Sequence, residues 1–553
     1  MPDRLEQRTE VLTGWVVPPP PIRGLDHLGV QAPCIALYNQ LLPGITNVTD
    51  RARYYSFYPW LIWSFERRYS DHSKDSFCRV LRRAECLLAL IAAYHEAVLE
   101  DDEKNHGAAT IGRQKLRSQG VAISQGEIVV LDVYSAFNGD RRYFKNRLGG
   151  LGQYYFGPLR DLKILDYVDN DRQKPPGYDR SRGVELAHAF DQAVASSRFF
   201  EVLEQKRIGP QELADLVSLC PCGLMKSDEE RRLLLDIFFA RTDQWRQDGG
   251  TNRRVSLALI LDLINRHPRS PGMRLEDLLR GASYSRTLAD GSAWTVGDKW
   301  LRVRDGWGVY TRNEILSVAL QGIFWAQLRT AIVHGLRLRN AEEAGNLVRE
   351  TALAALGDTW STLTVGSAIT RLLEDLPDIQ DWSNERHEVS RAQTVVRLTR
   401  GDGPIEHVAR DSTILLLSLL ARGLRDNPYQ EFELDSEYFS SRDIHLNTLR
   451  RWATEWESWN FGDWLSWMGR RWCVERHMHV ALRKLRTENR DTFRIRPLDG
   501  ELQIVEVPPA VFTAPRVTQA EQILRDLGLI EPRDNWYTLS DEGQGVLEEC
   551  RRG

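Results

Sequence analysis

The chain has 553 residues and a mass of 63.6 kDa, too long for a single hydrophobic core. Hydrophobic residues at 42% and charged residues at 27% exclude a disordered or fibrous chain. A net charge of −4 excludes a polycation, although arginine supplies 63 of the 73 basic side chains.

An N-terminal polar stretch meets a stiff "PPPP" at 18–21. The segment "VTDRARYYSFYPWLIWSF" then sets Tyr54, Tyr55, Phe57, Tyr58, Trp60, Trp63 and Phe65 within twelve positions. Thr49 or Asp50 is placed to cap a helix here, and Pro59 to kink or restart it. Rings beside Arg51 and Arg53 fit a surface for bases, but fit better an aromatic core with arginines snorkelling outward. Residues 76–104 carry helical spacing, with Phe77, Val80, Leu81, Leu87, Leu88 and Ile91 on one side. "GVAISQGEIVVLDVYSAF" at 120–137 is the best strand candidate of the first third. The glycines of "NRLGGLGQYYFGPLRDLKIL" (146–165) lack a P-loop pattern and predict a loop packed on aromatics. "DNDRQKPPGYDRSRG" at 169–183 has the composition of a linker.

Helical spacing follows at 184–207, 210–219, 227–246, 254–266 and 274–280. Glycines and three tryptophans at 283–311 predict a hairpin or irregular insert, after which helices return at 312–334, 341–356, 366–375 and 411–425. Trp452, Trp456, Trp459, Trp464, Trp467 and Trp472 repeat at helical intervals and predict a core stripe. "DTFRIRPLDGELQIVEV" (491–507) is a hairpin around Asp499–Gly500.

Seven cysteines at 34, 78, 86, 220, 222, 473 and 550 form no disulfide framework. "CPCG" (Cys220, Cys222) is the only close pair, without a second pair at zinc spacing, so free thiols, no metal and no cofactor are expected. No apolar stretch suits a signal peptide, and runs such as "TILLLSLLA" (413–421) are too short to span a bilayer. A cytoplasmic protein with no membrane partner is the expectation.

Catalytic patterns are sparse. "AQLRTAIVHG" (326–335) holds Arg329 and His334 in an R-x4-H arrangement that resembles the active motif of HEPN ribonucleases. The resemblance implies that imidazole and guanidinium act together on an RNA 2′-hydroxyl and phosphate. Similar spacings recur five more times in this arginine-rich chain. A restriction-type nuclease would use Asp191, Glu204 and Lys206, but helical spacing puts Glu204 and Lys206 on different faces. The chain is read as non-catalytic.

The cationic segment "RRWCVERHMHVALRKLRTENRDTFRIR" (470–496) has nine Lys/Arg against three acids. Read as a helix, it lines up Arg476, His479, Arg483, Arg486 and Arg490 on one face, with Met478, Ala481, Leu482 and Leu485 turned inward. Such a row fits phosphates. The final stretch, "RVTQAEQILRDLGLIEPRDNWYTLSDEGQGVL", resembles the last helix and wing of winged-helix regulators, which would place Gln522 and Arg525 near base edges. Residues 501–553 nevertheless carry five Arg against ten acids.

The sequence therefore predicts a mainly α, multi-domain protein with small β-hairpin inserts and a C-terminal winged-helix-like module. The expected divisions are 1–180, mixed and mainly helical; 181–290, helical; 291–470, helical with a Trp-rich end; and 471–553, the basic helix with the module. The expected function is a nucleic-acid-associated component of a bacterial defence or mobile-element system, with DNA ahead of RNA as partner. The alternatives are a protein-interaction scaffold, in a larger complex or a homo-oligomer, and the HEPN-like ribonuclease.

Overall fold

The computed structural model describes residues 26–99, 106–167, 171, 173–179, 181–195, 197–425, 444–488 and 491–552. It is 64% helix and 6% strand, and its sheets are two-stranded antiparallel hairpins and pairings. The chain groups into two compact units, each discontinuous in sequence. Unit I takes the N-terminal stretch to Leu37, Tyr284–Thr287 and Gly308–Thr513; unit II takes Tyr38–Ser283, Leu288–Trp307 and Ala514–Gly553. A linear division of the sequence does not anticipate that the C-terminal 40 residues join residues 38–283.

In unit II the aromatic segment is one helix, Tyr54–Arg68, running through Pro59 without a break. Tyr54, Tyr55, Phe57, Tyr58 and Trp60 are all buried, so the ring cluster is core. The arginines beside it do not snorkel. Arg51 pairs with Asp526 at 2.9 Å, while Arg53 pairs with Glu230 at 3.2 Å and donates to the carbonyls of Ser218 and Cys220, both at 2.6 Å. Thr49 closes a local turn with Thr46 rather than capping a helix.

The helix Lys74–Val98 is capped by Ser73, whose hydroxyl accepts from the Ser76 amide. It buries two charges, Arg82 and Glu85. Arg82 donates to the carbonyls of Ser135, Ala136, Phe144 and Asn146 at 2.6–3.0 Å. Glu85 accepts from the amides of Gly150 and Leu151 and from the hydroxyls of Tyr58 and Tyr143. Together they fold the glycine-rich stretch around themselves. Gly149 has φ +53°, and a Cβ there would stand 2.3 Å from the Glu85 carboxylate, which explains the glycine without a phosphate. The expected strand at 120–137 is instead helix Arg113–Ser124, a two-residue strand and helix Leu131–Ser135. The linker expected at 169–183 is strand at Pro176–Tyr178, paired with Leu165–Tyr167; residues 169, 170, 172 and 180 lie outside the described set.

The C-terminal stretch of unit II runs helix Val517–Asp526, hairpin Ile530–Arg533/Trp536–Leu539, helix Asp541–Arg552. Asp534 and Asn535 both have positive φ, the backbone of a tight two-residue turn.

A helix of 36 residues, Asp298–Val333, replaces the insert expected at 283–311 from residue 298 onward. Trp300, Val303, Trp307 and Tyr310 recur at helical intervals and are all buried. Among the described residues this helix alone is long and apolar enough to cross a membrane, and 83% of its apolar window is buried inside the structure, as in a core helix.

Unit I packs Ala341–Leu356 against Phe461–Met468 and the π-helical turn Gly469–Glu475. The approach is close: a Cβ on Gly345 would lie 2.4 Å from the Ser466 carbonyl. Trp452 and Trp456 of helix Leu446–Trp456 meet Trp467 and Trp472 with ring centroids 5.2–5.7 Å apart, a cluster between elements rather than one stripe, and Trp459 stands 37% exposed. A helix unforeseen in the sequence, Glu388–Arg400, carries the buried Glu388. The hairpin Ile495–Leu498/Glu501–Ile504 turns at Asp499–Gly500 as expected, both with positive φ.

Candidate functional site

The helix Arg476–Glu488 exists, but it is rotated from the expected face. The physical cause lies at residues 26–31 of the same unit. The Asp26 carboxylate collects the amides of Leu28, Gly29, Val30 and Gln31 at 2.8–3.3 Å, leaving the carbonyls of this turn for other donors. Arg476 donates to the carbonyls of Leu28 and Gly29, His477 to that of His27, and Lys484 to that of Asp26. His477 and Lys484 are therefore buried, whereas Leu482 and Leu485 stand 55% and 41% exposed. Burial pushes the His477 imidazole down to about 4, and its neutral Nε2 accepts from the Arg494 amide at 2.8 Å.

The cationic row is thus interrupted. Arg476 is committed to backbone, and Arg483 is half-buried. His479 and Arg486 are exposed, and Arg490 lies outside the described residues. Partial burial, then the charges of Arg476 and Arg483, lower the His479 pKa. Nearby cations are matched by acids: Arg471 by Glu475, Arg496 by Asp491, and Arg337 by Glu501.

Gln522 and Arg525 belong to unit II. Gln522 donates to Asp526, and Arg525 is half-buried. The helix that carries them faces its own unit: Asp526 accepts from Arg51 and from the Ala52 amide, and Gln519 donates to Asp50 and to the Asn47 carbonyl. Arg329 pairs with Asp402 at 3.5 Å, while His334 lies exposed just beyond the end of its helix. Asp191 accepts from the Trp60 indole and Glu204 from the Tyr69 hydroxyl, which gives both carboxylates structural partners.

Among the described residues one constellation converges, and it is absent from the expected sites. Cys220 and Cys222 meet His95, from the last turn of helix Lys74–Val98, and His106. One ligand atom from each lies within 4.8 Å of all the others. Cys220 Sγ is 3.5 Å from His106 Nδ1, Cys222 Sγ is 3.5 Å from His95 Nδ1, and the two rings stand 4.5 Å apart, edge to face. Hydrogen bonding to Cys220, and then to His106 and His95, holds the Cys222 thiol far below its ordinary range, while burial pushes Cys220 up. The short C-P-C spacing is the only trace in the sequence. Its two histidine partners sit more than 110 residues upstream, where no motif connects them.

Comparison with protein-family models, curated proteins and solved structures returns no match to this chain.

Proposed function

We propose that the protein is a non-catalytic interaction component, a subunit that binds another protein through the Arg476–Glu488 helix. The observation that carries this reading is the exposure of Leu482 and Leu485 on a helix whose polar His477 and Lys484 are buried. Two leucines exposed three positions apart on one helix offer apolar surface that a partner could cover. Exposed His479 and Arg486 flank them, so the complementary surface is an acidic amphipathic segment of a protein partner. For the ribonuclease reading, the Arg329 guanidinium is already engaged by Asp402 at 3.5 Å and His334 is exposed past its helix end.

The test is chemical crosslinking and mass measurement of complexes isolated from the native cell, comparing wild type with Leu482→Glu/Leu485→Glu. Both side chains are surface groups, so the variant keeps its fold, and a specific partner present with wild type is lost. A partner retained by the variant contradicts the proposal, and a shift from dimer to monomer would identify the partner as a second copy.

Nucleic acid is the second reading, favoured by the exposed Arg486. It predicts duplex DNA binding that weakens steeply with salt and falls on Arg486→Glu. Wild-type binding to duplex that survives Leu482→Glu/Leu485→Glu would favour it over the protein-partner reading.

A further inference from the structure

We propose that His95, His106, Cys220 and Cys222 bind one zinc ion in a closed structural site within unit II. Metal geometry makes the case. With Zn–S at about 2.3 Å and Zn–N at about 2.0–2.1 Å, a tetrahedral centre places each sulfur about 3.5 Å from each nitrogen. Two of the four sulfur–nitrogen pairs, Cys220 with His106 and Cys222 with His95, stand at that separation. The four donors come from three separate segments, yet one ligand atom from each lies within 4.8 Å of all the others.

The Nδ1 atoms of both histidines are the ones turned to sulfur, as ligands of a shared ion would be. The donor set selects the metal. Two sulfurs and two nitrogens suit zinc and do not suit magnesium or calcium, which take oxygen ligands. Four protein ligands leave no position for water or substrate, so the ion's role is to hold structure rather than to catalyse.

What it holds follows from the backbone of the ligands. The Cys220 carbonyl accepts from Arg53 and the His106 carbonyl from Arg51. Arg51 in turn pairs with Asp526, the last residue of the helix Val517–Asp526. The ion therefore fixes the two ligand segments that orient Arg51 and Arg53. Through Arg51 it steadies the seat of the helix Val517–Asp526.

The experiment uses the full chain purified without chelator or metal-affinity resin, with metal content read by plasma mass spectrometry. About one zinc per chain is expected in the wild type, and a roughly tenfold lower content in Cys222→Ser and in His106→Ala. Because these variants can lose fold together with metal, the wild type is also stripped and reloaded with cobalt. Tetrahedral d–d bands and a thiolate-to-cobalt charge-transfer band are expected. Hydrogen exchange of residues 517–526 should be faster in the stripped protein and return to its original rate on adding zinc. A wild-type chain that holds no zinc as purified, and gives no thiolate–cobalt band on reloading, overturns the proposal and leaves a hydrogen-bonded thiol–imidazole cluster.

Discussion

Replacing Glu388 by Gln is expected to destabilise unit I by about 3–5 kcal/mol, as for a buried ion pair that loses one partner. Glu388 accepts from Arg422 Nε at 2.6 Å and Nη2 at 3.2 Å, and from the Tyr284 hydroxyl at 2.8 Å. The variant keeps the shape but leaves the buried Arg422 guanidinium without its counter-charge. The same carboxyl makes stability depend on pH. Burial opposes its ionisation, but His387 and Arg422 more than offset this and hold it at about 2, against an ordinary 4.5. A depressed carboxyl contributes stability that is complete above its unfolded pKa and disappears as pH falls through the folded one. The contribution, about 3 kcal/mol at neutral pH, should therefore fade between about pH 4.5 and pH 2. Urea unfolding at a series of pH values measures both effects. Glu388→Gln should lower the midpoint at neutral pH and flatten its acid limb; an unchanged midpoint would show that the pair contributes nothing.

Arg82→Met is expected to cost unit II a comparable amount, about 3–5 kcal/mol. The guanidinium satisfies four carbonyls of residues 135–146, that of the buried Ser135 and those of the half-buried Ala136, Phe144 and Asn146, and methionine can satisfy none. Each carbonyl left without a donor costs about 1–3 kcal/mol unless the loop moves to find water. The expected signature is local: amide exchange should accelerate first across residues 135–151, with the helix Lys74–Val98 following only at global unfolding. Equal protection of the loop in variant and wild type would mean that the Glu85 contacts alone hold it.

Local features were legible in the sequence where local chemistry decides. The Asp499–Gly500 turn and the hairpin around it follow from residues that tolerate positive φ. Helical spacing marks the tryptophans as core-facing, but their cluster forms only where helix Leu446–Trp456 meets Phe461–Met468 and Gly469–Glu475. The aromatic segment was recognisable as core, but its arginines were not recognisable as buried. Arg51 and Arg53 are satisfied by Asp526 and Glu230, which lie 475 and 177 residues away. The basic helix shows the same limit more sharply. Its periodicity turns Leu482 and Leu485 inward, yet the carbonyls of residues 26–29 draw Arg476, His477 and Lys484 to that side instead. A hydrogen-bonding surface outcompetes hydrophobic periodicity there, and it comes from the other end of the chain. The Cys/His cluster is hidden for the same reason. Its ligands converge because a helix end, a turn and a short 3-10 segment pack together, not because they share a motif.

X-ray absorption at the zinc edge of the purified full-length chain tests that convergence most directly. A first shell of two sulfurs at about 2.3 Å and two nitrogens at about 2.0–2.1 Å is the predicted result. A zinc edge fitted only by light-atom ligands, or no zinc edge at all, would contradict the assignment of Cys220 and Cys222 as its ligands.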